Sequence, residues 1–274
     1  MRSGSCWSFA TAAAVLVSLS MAQSAGTQKP PRAQPTQGDV QAAIAEGIET
    51  GRSAYIPLPK DQRVTRGAGG TIEMEPRPAA TPDHYGADVA LAILSLDQYW
   101  SEALPKIFNR QYRAPAKLYQ YVPSQGDNGL RCGTTAPGPR NAIYCPGDDT
   151  IQWDGTFLFG LYKEFGDFSP AVVVAHEWGH AVQHRLGLLA NGAYSIQIEL
   201  QADCLAGAWT RHAEVVQKII EAGDVDEAIR TLFEVRDPVG TPWFDPTAHG
   251  TGQQRIRSFN TGYDAANGAR ACVR

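Results

Sequence analysis

The 274-residue sequence has no surplus of positive charge: 24 Lys and Arg stand against 28 Asp and Glu, a formal net charge of -4. A protein whose main work is to neutralise a phosphate backbone needs the opposite balance, so nucleic acid is excluded as the principal partner. Long apolar runs are missing after the first two dozen residues, which excludes a multi-span membrane protein. Cysteines are few, five in all. Gly and Pro are plentiful, 27 and 18 residues, beside a hydrophobic content of 43%. That mixture suits one globular domain with loose chain attached.

The loose chain and the one apolar run both lie at the N-terminus. MRSGS, with Arg2, precedes CWSFATAAAVLVSLSMA, an apolar segment closing on the small residues Ser20 and Ala22. This reads as a signal peptide over residues 1–22 and predicts an exported chain, periplasmic or extracellular. Left uncleaved, it would associate the chain with a membrane, but residues 6–22 are short and rich in Ser and Thr for a stable span. Residues 23–85 contain PPRAQPTQG, RGAGG and EPRPAATPDH without a sustained apolar period, and read as a flexible linker or propeptide. The folded domain is expected over 86–274. Loss of Cys6 with the signal peptide leaves Cys132, Cys145, Cys204 and Cys272, an even number suited to an oxidising compartment. Three pairings are open. Cys132 with Cys145 is favoured because the two bracket the Gly- and Pro-rich GTTAPGPRNAIY, and Cys204 with Cys272 follows by elimination.

ADVALAILSLDQYWSEAL places Val89, Ile93, Leu96, Trp100 and Leu104 at helical spacing, with Pro105 near the end. KLYQYVP, AIYC and TIQWD read as strands of a small antiparallel sheet. In GDFSPAVVVAHEWGHAVQHRLG, Ser169 can cap, Pro170 suits the first helical position and Gly187 supplies the stop, so a helix is expected over about 170–186. SIQIELQADCLAGAWTRHAEVVQKIIEAG gives the returning arm of a helix hairpin, and Asp224 with Glu227 forms a capping-box pattern opening a further helix.

HEWGH lies inside the first of these long helices. His176 and His180, four residues apart, share one face and can reach a single metal ion, while Glu177 is rotated by about 100 degrees and can address water on that ion. A third ligand is needed. His184 continues the spacing, but it stands about 12 Å along the axis from His176, too far for three bonds of about 2 Å to converge. It is expected at the surface. Glu199, about four residues into the returning helix, comes to a height comparable with His180, and Asp203 at i+4 can accept the second N–H of a ligand histidine. Cys204 points about 140 degrees away from Glu199, as a disulfide partner rather than a ligand.

HEWGHAVQ, ELQADCLAGAW and HGTGQQRIRSFNTGY, in that order and preceded by CGTTAPGPRNAIYCPGDDTIQWD, resemble the bacterial putative neutral zinc metallopeptidase family over about residues 86–274. The chain departs from the family's usual pattern at Trp178, where a smaller aliphatic residue is more common, and at Gly252, where Ser is usual. The resemblance implies an α+β, zincin-like catalytic domain of the gluzincin type, with one zinc ion on His176, His180 and Glu199. It implies Glu177 as general base and then general acid, and Asp203 behind the ligands. HGTGQQRI also resembles a C-terminal stretch of membrane-associated gluzincins, which implies that His249 stabilises the oxyanion and that Arg255 orients the site. By analogy to zincins, TIQWD would be an edge strand that binds substrate backbone.

The function expected is hydrolysis of peptide bonds in a peptide or protein substrate by a metal-activated water. The alternative is a zinc-binding, envelope-associated interaction protein with little hydrolytic activity. Glu177 argues against it, since a structural zinc needs no base and closes its fourth position with a protein ligand. Hydrolysis of a non-protein amide would use the same chemistry.

Overall fold

The first long helix, α1 (Asp83–Phe108), buries Val89, Ile93, Leu96, Trp100 and Leu104 along one stripe, as their spacing requires. It begins ahead of the boundary expected at residue 86. It also runs through Pro105, because a missing N–H in the last turns removes only one helical hydrogen bond. The structure, a computed structural model, describes residues 62–66, 72–76, 83–189, 195–245 and 247–273. The expected signal peptide lies outside the described residues, as does much of the 23–85 stretch. Among the described residues no helix is long and apolar enough to cross a membrane.

The five strands are β1 (Gln62–Arg66), β2 (Ile72–Pro76), β3 (Lys117–Tyr121), β4 (Ala142–Cys145) and β5 (Thr150–Asp154), in the sheet order β2-β1-β3-β5-β4. β1 and β2 pair antiparallel inside the stretch that composition marks as linker, and β1 meets β3 at Thr65 and Lys117. The sheet is mixed rather than antiparallel. β4 and β5 form a hairpin, but β3 runs parallel to β5, with Leu118 beside Ile151 and Tyr121 beside Asp154. The cause is the long 122–141 connection, which carries the chain past β5 before the hairpin begins and so inserts the hairpin's second strand beside β3. TIQWD is therefore an interior strand, flanked on both sides, and β4 takes the edge.

Helix α2 (Gly155–Phe165) follows β5 directly, its first N–H groups accepted by Asp154. Next comes α3 (Ser169–Leu186), whose fifteen residues from Ser169 to Gln183 are all buried. A helix enclosed on every side must be apolar on every side, and VVVA and AV flanking the polar HEWGH meet that demand. Its start differs from expectation: Ser169 lies inside the helix, and the Phe168 N–H is taken by Glu227 from a later helix. Gly187, at φ 74°, ends it in the left-handed conformation that only glycine adopts without strain.

α4 (Ser195–His212) returns along α3 and continues into a π turn at Ala213–Gln217. α5 (Asp224–Glu234) lacks the expected capping box, because Asp224 bonds the Glu221 N–H and Glu227 is used at Phe168. α6 (Gly252–Tyr263) opens on a true capping box between Thr251 and Gln254. α4 and α6 cross almost backbone to backbone: a Cβ on Gly207 would sit 2.0 Å from the Phe259 carbonyl oxygen, and one on Gly262 would sit 1.9 Å from that of Cys204. Disulfides join Cys132 to Cys145 and Cys204 to Cys272, as expected. The second ties the C-terminal tail to α4.

Candidate metal centre

The site forms where α3 and α4 approach most closely. Gly179, inside HEWGH, faces Ala202, and a Cβ there would lie 3.0 Å from the Ala202 Cα. Two small residues thus let the helices close until side chains from both meet. His176 Nε2 lies 3.0 Å from Glu199 Oε2, His180 Nε2 lies 3.1 Å from His176 Nε2, and His180 Nε2 lies 3.4 Å from Glu199 Oε1. All three residues are buried.

The opposite ring nitrogens are committed. His176 Nδ1 is 2.7 Å from Asp203 Oδ1, and His180 Nδ1 is 2.8 Å from Gln183 Oε1. Gln183 cannot rotate freely, since its amide nitrogen donates to the Ile198 carbonyl and to Gln201. With both Nδ1–H groups given to acceptors, the Nε2 lone pairs point at one another and at a carboxylate. Lone pairs at such separations repel unless a positive charge lies among them. Ligand atoms on a tetrahedral ion with bonds of 2.0–2.1 Å stand about 3.4 Å apart, close to the spacing seen here. Glu199 Oε1 and Glu177 Oε2 are buried without a hydrogen-bond partner, two acceptors free for a cation and for a water.

The electrostatics point the same way. Burial works against charge on His176, but the carboxylates of Asp203 and Glu199 outweigh it and bring the imidazole to about 9. A proton is one positive charge these carboxylates can hold, and a divalent cation is another. Burial pushes the Glu177 carboxyl up, partly opposed by His176 and His180. For Glu199 burial is more than offset by the charges of His180 and His249, and its carboxyl falls well below the ordinary range.

Asp203 is itself held. Fully buried Arg255, on α6, donates from Nε to Asp203 Oδ2 at 2.9 Å and from Nη2 to Asp203 Oδ1 at 2.7 Å, and from Nη1 to the Val235 carbonyl. This bidentate pair fixes the carboxylate that fixes His176. The Gly207 and Gly262 crossing is what brings α6 near enough. His249, expected at the site, is buried within Coulombic reach of Glu177 and Glu199. Asp237 holds it, accepting the backbone N–H groups of His249 and Gly250 at 2.8 and 2.7 Å and facing His249 Nδ1 at 3.3 Å.

His184 stays out of the cluster, as its axial distance requires. It is half-buried rather than at the surface, with Nδ1 2.6 Å from the Tyr144 hydroxyl. Sequence reasoning missed Gln183 and Asp237. Gln183 had a legible signal, three residues after His180 on one helix face, whereas Asp237 reaches His249 only through loop closure. Of the two departures from the family's usual residues, Trp178 is buried in the core, and Gly252 leaves the space that Phe233 occupies, whose ring would be 2.3 Å from a Cβ there.

Residues 71–273 match a family model described as "Putative neutral zinc metallopeptidase". Uncharacterized protein YpfJ of Escherichia coli (strain K12) is 31% identical over 203 residues, covering 66% of this chain and 68% of that protein. Uncharacterized protein Rv2575 of Mycobacterium tuberculosis (strain ATCC 25618 / H37Rv) is 31% identical over 203 residues, covering 63% of this chain and 65% of that protein. No solved structure matches.

Proposed function

The chain belongs to the putative neutral zinc metallopeptidase family, and on that premise we propose that it is a zinc-dependent peptidase with His176, His180 and Glu199 holding one ion. The observation that carries the reading is the convergence of three buried donor atoms beside the unpartnered Glu177 Oε2. Zinc bound there would supply Lewis acidity, polarising a peptide carbonyl and bringing the ionisation of a water towards neutral pH.

The protein's own groups do the rest. Glu177, its carboxyl raised by burial, takes a proton from the attacking water and returns it to the departing nitrogen. His249 donates a hydrogen bond to the carbonyl oxygen as negative charge develops there, oriented by Asp237. Asp203 and Gln183 keep the ligand imidazoles in one tautomer and one orientation, and Arg255 secures Asp203. The two disulfides fit an exported protein. A periplasmic or extracellular site of action, with residues 1–22 removed, completes the proposal.

The test is elemental analysis of the purified chain beside cleavage of an unstructured protein, for wild type, His176→Ala, Glu199→Ala and Glu177→Gln. One zinc per chain, lost with cleavage in the first two variants and kept without cleavage in Glu177→Gln, supports the peptidase. Undiminished cleavage by Glu177→Gln would refute it.

A further inference from the structure

The loop between α5 and α6 carries an exposed apolar tip on a neck that belongs to the site. At the neck, the Asp237 N–H donates to the Gly250 carbonyl while the Asp237 carboxylate takes the N–H groups of His249 and Gly250. A Cβ on Gly250 would touch Leu200, the residue after Glu199. Between these ends the chain is folded by turns closed at Thr241 N to Pro238 O, Asp245 N to Pro242 O and Ala248 N to Asp245 O. Asp245 also binds the N–H and hydroxyl of Thr247. Such turns pre-set the tip, so its side chains need little further ordering on binding.

Exposed at that tip are Val239, Trp243 and Phe244, three of the six exposed large apolar side chains among the described residues. The Trp243 and Phe244 rings stand edge to face, 5.7 Å apart. Rigid exposed aromatics are what binding surfaces are built from. Their distance from the neck bounds what they can touch. Six residues span at most about 20 Å fully extended, and the turns shorten this to about half. That is roughly three residues of an extended peptide at 3.3 Å each.

Resting on the peptidase reading, we propose that this loop is a specificity element beside the metal centre: Trp243 and Phe244 seat a bulky apolar side chain of an extended peptide substrate, within about three residues of the bond cut. The preferred substrate class is therefore unfolded or extended chain with Phe, Leu, Met or Tyr at that position. A lipid surface is the weaker occupant, because the Asp245 carboxylate follows Phe244 directly and would be carried into the bilayer with it.

The experiment uses the zinc-loaded full chain and pairs of fluorogenic peptides that differ by Phe or Gly at one position, scanned across three residues on each side of the cut. Wild type is expected to favour Phe by about tenfold or more in kcat/KM at one position, the scale set by burying an aromatic ring. In Trp243→Ser/Phe244→Ser that ratio is expected to fall towards unity, chiefly through KM. Retention of the preference in the double variant overturns the proposal while leaving the peptidase reading intact. Absence of any cleavage by zinc-loaded wild type overturns both. A variant that keeps the preference but no longer sediments with neutral phosphatidylcholine vesicles would mark the tip as a membrane contact and likewise overturn the proposal.

Discussion

Gly207→Ala separates two opposed effects in one methyl group. In an exposed helix the change is stabilising by about 1 kcal/mol, because alanine loses less backbone entropy than glycine. Here the new Cβ would lie 2.0 Å from the Phe259 carbonyl oxygen, 2.8 Å from its carbon and 3.1 Å from the Tyr263 nitrogen. An ordinary carbon to oxygen contact of about 3.2 Å requires α6 to retreat by about 1.2 Å, since backbone atoms cannot rotate away as a side chain would. Overpacking of this kind costs about 3 kcal/mol, and the net loss after the propensity gain is about 2 kcal/mol. For a folded unit of this size that lowers Tm by about 4 to 8 °C. The consequence reaches the candidate metal site, because Arg255 lies one turn before Phe259 on α6 and its bonds to Asp203 are only 2.7 and 2.9 Å long. A retreat of an ångström takes them beyond hydrogen-bond range. Calorimetry with zinc titration is the assay, and weaker zinc binding is expected beside the lower Tm. A variant with raised Tm and unchanged zinc affinity would refute the argument that this glycine crossing holds Arg255 in place.

Three further outcomes follow from the same geometry. Gln183→Leu removes the acceptor that fixes His180, and should weaken zinc by about 10- to 100-fold with the fold retained, measured by competition with a chromogenic chelator. Chelation should lower Tm, since an ion held by His176, His180 and Glu199 would tie α3 to α4; at free zinc a thousandfold above Kd the stabilisation lost would be about 4 kcal/mol. Replacing Cys204 and Cys272 by Ser should cost about 4 kcal/mol, and replacing Cys132 and Cys145 about 3 kcal/mol, from the loops of 68 and 13 residues that each closes. Urea unfolding of each pair variant checks the order.

The parts of the candidate site that follow from helical geometry were legible before any coordinates. His176, Glu177 and His180 share one helix, so their mutual placement is set by a period of 3.6 residues. Glu199 and Asp203 required only a short return to bring a second helix to matching height. The core stripe of α1 and the Cys132–Cys145 disulfide were legible for similarly local reasons, while Cys204–Cys272, 68 residues apart, followed only by elimination. Other local signals were present but unused: Asp154 opens α2, and Thr251 with Gln254 opens α6. Two local signals misled. Ser169 and the Asp224 to Glu227 pair looked like caps, but a cap is a competition among all acceptors nearby, and Glu227 bonds Phe168, 59 residues earlier in the chain.

Sequence by itself thus determined that His176, Glu177 and His180 lie close together on one helix and that His184 stands too far along it to join them, because each follows from spacing along one rigid element. Tertiary structure alone decided that β3 runs parallel to β5, that β4 rather than β5 takes the sheet edge, and that Asp237 grips His249. It alone also decided that α6 crosses α4 at Gly207 and Gly262, closely enough for Arg255 to hold Asp203. These contacts join residues far apart in the chain, and no local period encodes them. They depend on where connections return and on how small the residues are at the points of crossing.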